Sequence, residues 1–121
     1  MVQNLRNHYT FGVFENGTLV GVVTLVRKTA LKLRYKAKIV GVYVTPTKRK
    51  CGIAKRLLNE AIAKAKSMKG VEQVTLTVVS TNAAARNLYL NAGVKPFGLE
   101  KRALKTNGQY FDEEHMVLFL Q

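Results

Sequence analysis

The 121-residue sequence predicts one domain of the mixed α/β (α+β) class, with helices packed on a mixed, mostly antiparallel sheet. Two Asn-Gly turns, each between strand-like runs, predict antiparallel hairpins towards the two ends of the chain. Between the hairpins, a strand–helix–strand pattern predicts a parallel pair, because such a crossover is right-handed and returns the chain in the same direction. The predicted order of elements is β-β-β-α-β-α-β-β.

Both hairpins are predicted from the chemistry of their turns. The first turn is "ENGT", residues 15–18, and the second is "TNGQ", residues 106–109. Asn and Gly accept the positive φ angles that a two-residue hairpin turn requires. The predicted strands are residues 9–14 and 19–26 around the first turn, and residues 99–105 and 110–120 around the second.

The third predicted strand runs from residue 31 towards Pro46. Apolar residues alternate with Lys and Arg over residues 31–39, which indicates a strand with one face in water. The run "IVGVYV" that follows is almost wholly apolar, as expected of a strand covered on both faces. Because proline cannot donate a ladder hydrogen bond, we expect the strand to end near Thr45.

Two amphipathic helices are predicted on either side of one further strand. From Gly52 onward, apolar residues such as Ile53 and Leu57 recur at helical spacing. Residues 72–79, "EQVTLTVV", alternate as a strand does. Asn82 is the best N-cap candidate for the second helix, which Gly93 ends.

The composition favours a soluble chain with a hydrophobic core and a strong positive charge. Hydrophobic residues make up 47% of the chain, and no run approaches the roughly 18 apolar residues of a membrane helix. The N-terminal segment has no apolar signal core, so we expect a cytoplasmic protein. The single cysteine, Cys51, excludes an internal disulfide. A net charge of +13 predicts attraction to polyanions, to an acidic surface or to an anionic cofactor, without choosing among them.

The segment "KRKCGIA", residues 48–54, places three basic residues before a small-residue turn at the predicted start of the first helix. The free N–H groups and partial positive charge of a helix start attract anions, and small residues allow an anion to approach closely. The segment therefore suggests a pyrophosphate site. The alternative is that these charges are only solvated surface, since basic residues before a helix are common.

Three segments resemble motifs of the GCN5-related N-acetyltransferase (GNAT) family. Arg49, Gly52 and Ala54 match its acetyl-CoA signature, R/Q-x-x-G-x-G/A, after a strand and a proline. "STNAAARNLYLNAGV" resembles its N-x-x-A-x-x-L-Y-x-x-x-G-F helix, and "GLEKRALKTNGQYFDEEHMVL" resembles its closing hairpin. The three occur in the family's order and together cover nearly the whole chain. The second segment matches through Asn82, Ala85, Leu88, Tyr89 and Gly93.

The resemblance implies an acetyl-CoA-dependent N-acetyltransferase whose central parallel pair of strands splays apart at the cofactor cleft. An amine of a small molecule or protein would attack the thioester directly, with no covalent enzyme intermediate. Tyr89 would be the catalytic acid that protonates the leaving thiolate. A backbone N–H near Val44 would polarise the thioester carbonyl. The residues implied to bind acetyl-CoA are Val42, Tyr43, Val44, Arg49, Lys50, Cys51, Gly52, Ile53, Ala54, Asn82, Asn87 and Tyr89.

The sequence departs from the family pattern in two respects. We expect a single domain over residues 1–121 that lacks the family's usual first strand and two helices, which form one wall of the acceptor site. Such a chain could leave apolar surface uncovered, so a homodimer is plausible. No Glu or Asp matches the family's usual base position, and the general base stays open. His8 and His115 are isolated, so no metal site is predicted.

Other functions and plainer roles stay open beside this interpretation. The chain could bind CoA without catalysis, or act as a basic module on nucleic acid or the ribosome. No helix-turn-helix, zinc knuckle or aromatic RNA-binding motif supports specific nucleic-acid binding, and no membrane partner is expected. Tyr89 could be an ordinary core tyrosine, and Asn82 could serve only as a helix cap. No His lies near Cys51 in the sequence, so a nucleophilic role for this thiol is not favoured.

Overall fold

The computed structural model describes residues 2–5, 7–49 and 52–120 as seven strands in one sheet with two α-helices packed on it. Short 3₁₀ helices lie at Leu31–Leu33 and Pro46–Lys48. No helix in these ranges is both long enough and apolar enough to cross a membrane. In chain order the elements are β1 (Val2–Leu5), β2 (His8–Glu15), β3 (Thr18–Arg27), β4 (Lys36–Val44), α1 (Ile53–Ser67), β5 (Gln73–Val79), α2 (Ala83–Asn91), β6 (Lys95–Thr106) and β7 (Gln109–Phe119).

The sheet confirms the predicted fold class. Its strand order is β1-β2-β3-β4-β5-β7-β6, and every neighbouring pair is antiparallel except β4 with β5. The crossover from β4 through α1 to β5 produces the parallel pair, as the strand–helix–strand pattern predicted. From β2 to β7 the elements follow the predicted order, and β1 precedes them as an additional strand paired with β2.

Both predicted hairpin turns are confirmed. Asn16 and Gly17 have φ angles of 50° and 80°, and Asn107 and Gly108 have φ angles of 53° and 76°. Positive φ at both central residues is the geometry of a type I′ turn, whose twist matches that of the two strands it joins. The local chemistry of two residues therefore fixes each hairpin.

The prediction of a strand from residue 31 was wrong, because β4 begins only at Lys36. The pairing between β3 and β4 starts at Arg27 opposite Ala37. Residues 31–35 therefore have no partner residues in β3. They form a loop that the Arg27 side chain closes by donating a hydrogen bond from Nε to the Arg34 carbonyl at 2.9 Å. Leu31 is 80% exposed, so the apolar alternation in this segment does not mark a buried face.

The start of β6 was also predicted too late, at residue 99 instead of Lys95. Pro96 lies inside this strand, where it cannot donate to a ladder. The strand accommodates it because β6 is at the edge of the sheet and pairs only with β7.

The two α-helices pack on the same face of the sheet. An added Cβ at Gly21 would lie 2.8 Å from the Ile53 side chain, so this glycine lets α1 approach β3 closely. On the same face, Arg86 of α2 donates from Nε to Glu114 of β7 at 2.7 Å. The residue pairings from β3 through β4 and β5 to β7 put Gly21 and Glu114 on the same face of the sheet, so α1 and α2 contact the same face. The largest fully buried side chains between this face and the helices are Leu25, Leu57, Leu58, Met116, Val23, Val74 and Val94.

The opposite side of the sheet is here named the open face, because neither α-helix packs on it. Side chains alternate between the two faces along each strand, so the registers fix which residues it presents. Around the parallel pair, the open face carries Lys38, Val40, Thr77, Val79 and Glu113.

Candidate active site

The parallel strands β4 and β5 separate soon after they meet. Their ladder has three pairs, of which Lys38 with Thr75 is the last. Beyond it, β4 continues to Val44 and β5 to Val79 without pairing to each other. The sheet therefore splays at its centre, as the fold prediction required.

A β-bulge in β4 accompanies this separation. On the β3 side, Val22 and Thr24 are two residues apart, but their partners Tyr43 and Val40 are three apart. The extra residue lies in β4, where Gly41 has a φ of 65° that other residues rarely adopt. Because a bulge bends its strand and increases the local twist, it turns the end of β4 away from β5.

The separated strands flank a cleft of about 330 Å³ whose lining residues come from both faces of the sheet. This volume lies at the small end of the roughly 300–1,000 Å³ range of ligand sites. On the helix side the lining residues are Ile39, Leu76, Val78, Asn82, Ala85 and Tyr89, and on the open face they are Lys38, Val40, Thr77, Val79 and Glu113, with Gly41 and Val42 between.

The backbone of β4 points hydrogen-bonding groups towards β5, where the ladder has ended. The Thr45 N–H donates to the Val20 carbonyl of β3 at 2.9 Å. Backbone groups alternate in direction along a strand, so those of Val42 and Val44 point to the β5 side. The Val44 carbonyl accepts a hydrogen bond from Nε of Arg49 at 3.1 Å. An extended ligand could pair with this strand as an added strand does.

Tyr43, Val44 and Arg49, which the resemblance implies bind acetyl-CoA, do not line the cleft. Val42, in contrast, lines it. Tyr43 is 51% exposed, and the Arg49 guanidinium carbon lies 5.8 Å from the centroid of its ring. Arg49 therefore contacts both the backbone and the exposed ring at the end of β4.

The start of α1 is suited to an anion. Gly52 is its N-cap, with a φ of 78°, and no side chain of the described residues caps the helix. Its first turn contains no acidic residue. The first N–H groups therefore keep their capacity to bind an anion, which the helix dipole favours. Ile53 is buried in the core and Ala54 packs partly against it, while Lys50 and Cys51 lie outside the described residues.

An added Cβ at Gly52 would meet no atom within 4 Å. The positive φ, and not crowding, is therefore what favours glycine at this position.

Helix α2 contributes Tyr89 and Asn82 to the cleft. Tyr89 is 7% exposed, and burial raises the pKa of its phenol above the usual value of 10.0, so the hydroxyl keeps its proton at neutral pH. Asn82 caps α2, because its Oδ1 accepts a hydrogen bond from the Ala85 N–H at 3.2 Å. Asn87 is exposed on the same helix and does not line the cleft.

Glu113 is a cleft residue that the sequence did not single out as a base. It lies on β7 opposite Val79 of β5 and is half-buried. Among the described residues it has no ion pair and no side-chain hydrogen bond. The register between β5 and β7 brings it to the cleft, and no local pattern in the sequence reveals that register.

No group of three or more His, Cys, Asp or Glu side chains within residues 2–5, 7–49 and 52–120 is arranged to hold a metal ion. Nε2 of His115 and Oε1 of Glu100 are 3.0 Å apart on the exposed outer hairpin.

Comparisons with known proteins agree with this geometry. Residues 2–94 match the family model described as "Acetyltransferase (GNAT) family". A GNAT-family acetyltransferase from Streptococcus pneumoniae has a TM-score of 0.88 and 25% identity, over 94% of this chain and 68% of that chain. No curated protein sequence matches the chain.

Arabidopsis thaliana NAA60 is also similar in structure. Its complex with a bisubstrate analogue has a TM-score of 0.79 and 26% identity, over 93% of this chain and 75% of that chain. Its complex with acetyl-CoA has a TM-score of 0.80 and 24% identity, over 94% and 77% of the two chains. The family match spans most of the sequence, and the splayed parallel pair lies inside it; the chain belongs to the GNAT acetyltransferase family.

Proposed function

We propose that this chain transfers the acetyl group of acetyl-CoA to a primary amine. The observation that carries the proposal is the cleft between β4 and β5, which joins unpaired strand backbone to a buried, protonated tyrosine. The start of α1, which no side chain of the described residues caps, follows β4 along the chain after the short 3₁₀ helix Pro46–Lys48. Membership of the GNAT family and the acetyl-CoA complex of NAA60 support the choice of acetyl donor.

Acetyl-CoA would be held by three kinds of group. The first-turn N–H groups of α1, with the basic residues that precede them, would bind its pyrophosphate. Backbone groups of Val42 and Val44 would pair with the pantetheine arm like an added strand. The Asn82 oxygen already caps α2, so its NH₂ group would be the part that binds the arm.

The thioester supplies an activated acetyl group, and the residues of the cleft would manage the protons. A neutral amine attacks the carbonyl carbon, so that a C–N bond forms and the C–S bond breaks. Glu113 would accept the proton that the amine loses, directly or through one water. Tyr89 would donate its proton to the departing thiolate, and its raised pKa keeps that proton available.

Two measurements test this proposal in sequence. The first is thermal unfolding with acetyl-CoA, CoA and pyrophosphate at matched ionic strength. A ligand at about 100 times its Kd stabilises the folded state by roughly 2.7 kcal/mol. A larger shift with acetyl-CoA than with pyrophosphate is expected, because the arm as well as the phosphates would be bound. Equal shifts would reduce the site to a phosphate-binding surface.

The second measurement is CoA release on a panel of primary amines. Turnover is expected, since the cleft contains both a proton donor and a carboxylate. Stabilisation by acetyl-CoA without turnover on any amine would favour the non-catalytic CoA-binding alternative. The panel includes both small amines and peptides, because membership of the family does not specify which class of acceptor the chain acetylates.

A further inference from the structure

The two charged side chains that line the cleft on the open face have opposite signs and lie at opposite ends of it. Lys38 is level with Thr75, where the two parallel strands are still paired. Glu113 is level with Val79, where they have separated. The cleft is therefore positive at its closed end and negative at its open end.

Neither charge is neutralised within the described residues. Two other glutamates form ion pairs, Glu15 with Lys48 and Glu114 with Arg86, and Glu100 lies 3.0 Å from a ring nitrogen of His115. Lys38 and Glu113 take part in no ion pair, no side-chain hydrogen bond and no cation–π contact in the described ranges. Both are half-buried, so a ligand with complementary charges would gain more from them than from fully exposed groups.

The registers set the distance between the two groups. Thr75 and Val79 are four residues apart, which is about 13 Å along the strand, and Lys38 and Glu113 lie on the two strands that flank β5, about 10 Å apart across it. Their Cα atoms are thus roughly 16 Å apart. Side chains of a strand stand roughly perpendicular to the sheet, so the two charged groups stay about as far apart as their Cα atoms unless they lean towards each other. With a hydrogen bond of about 2.8 Å at each end and a modest lean of both side chains, the site suits a ligand whose two polar groups are roughly 6–10 Å apart.

We propose that the acceptor is an amine that also carries an acidic group, with Glu113 binding the amino group and Lys38 binding the acid. The inference rests on the proposed function, because it assigns the acceptor class of that same site. Amino-carboxylate chemistry of this kind occurs in free ω-amino acids and at peptide N-termini followed by an acidic residue. The open face provides access for either source, since neither α-helix covers it.

The test compares three amines of equal chain length: 6-aminohexanoate, hexylamine and 1,6-diaminohexane. In the unmodified chain, kcat/KM is expected to be about tenfold higher for 6-aminohexanoate than for hexylamine, and lowest for the diamine. Lys38→Met should remove the preference, and Lys38→Glu should reverse it towards the diamine. Lys36→Met is the matched control, because Lys36 is two residues earlier in β4 and does not line the cleft. Equal kcat/KM values for the three amines in the unmodified chain would overturn the inference.

A binding measurement separates this inference from the proposed function. Calorimetric titration of the CoA-loaded protein with 6-aminohexanoate and hexylamine needs no turnover. About tenfold tighter binding of 6-aminohexanoate, lost in Lys38→Met but kept in Lys36→Met, supports the charge site even if no amine is acetylated. Equal binding of the two amines overturns it, even if the chain acetylates both.

Peptides then distinguish the two sources of the acceptor. The tripeptides Ala-Glu-Ala and Ala-Lys-Ala are compared as acceptors with 6-aminohexanoate. Preference for Ala-Glu-Ala over both others assigns the site to protein N-termini, and preference for 6-aminohexanoate assigns it to small amino acids. Preference for Ala-Lys-Ala would contradict the role of Lys38.

Discussion

Replacing Tyr89 by phenylalanine separates the chemical role of this residue from its packing role. The ring is 7% exposed and belongs to the core cluster, and phenylalanine keeps that ring. The hydroxyl makes no hydrogen bond to another described residue. Its removal should therefore change the free energy of unfolding by less than about 1 kcal/mol.

The expected effect on turnover is much larger. General acid catalysis by a positioned side chain contributes about 10²–10⁴-fold, which corresponds to roughly 2.7–5.4 kcal/mol of the activation barrier. The assay is initial-rate CoA release at saturating acetyl-CoA, from pH 6 to pH 10.5. We expect Tyr89→Phe to lower kcat by this factor while the thermal shift with acetyl-CoA is unchanged.

The pH dependence provides an independent signature of the same residue. Burial raises the pKa of Tyr89 above 10.0, so the proton donor is present across the neutral range and is lost only above that value. The folded state also favours the neutral phenol, so this contribution to stability is full below pH 10 and decreases as the pH rises through the folded pKa. The loss of activity and the loss of stability at high pH should both be smaller in Tyr89→Phe.

The matched control is Tyr110→Phe, an exposed tyrosine on β7 that does not line the cleft. It should leave both kcat and the pH profile unchanged. A Tyr89→Phe enzyme with kcat within about threefold of the unmodified value would refute the acid role and leave Tyr89 as a core residue.

Two further substitutions test other parts of the site. Gly52→Ala should cost about 1–2 kcal/mol through the positive φ alone, since its Cβ meets no atom, and should reduce the thermal shift with acetyl-CoA more than Gly17→Ala does. Equal ligand shifts in these two variants would argue against a pyrophosphate at the start of α1. Glu113→Gln should lower kcat about 10²-fold without changing the acetyl-CoA shift, whereas Glu60→Gln on the exposed side of α1 should have no effect. A loss of acetyl-CoA binding in Glu113→Gln would contradict its role on the acceptor side.

The sequence was most informative where a few neighbouring residues decide the structure. Asn16 and Gly17 set their hairpin through their own φ angles, and Asn82 caps its helix through its own side chain. It was misleading around Leu31, because alternation describes side chains and cannot show whether a partner strand is present. Periodicity alone therefore extended β4 into a loop.

The parts of the site that escaped prediction depend on long-range registers. Lys38 and Glu113 are 75 positions apart, and each reaches the cleft through its pairing with β5. Neither pairing follows from a turn type or a local motif. The resemblance implied that Asn82 and Tyr89 bind acetyl-CoA, and both residues line the cleft.

The short ladder between β4 and β5 also divides the molecule into two mechanical halves. Three pairs of residues join the strands β1–β4 to the strands β5–β7 through the backbone, and α1 packs mostly against the first group. Local opening between β4 and β5 should cost less free energy than unfolding of either half, and amide hydrogen exchange would detect this opening. A ligand bound between β4 and β5 would oppose this opening. Acetyl-CoA should therefore slow hydrogen exchange in β5 even at amides that it does not contact.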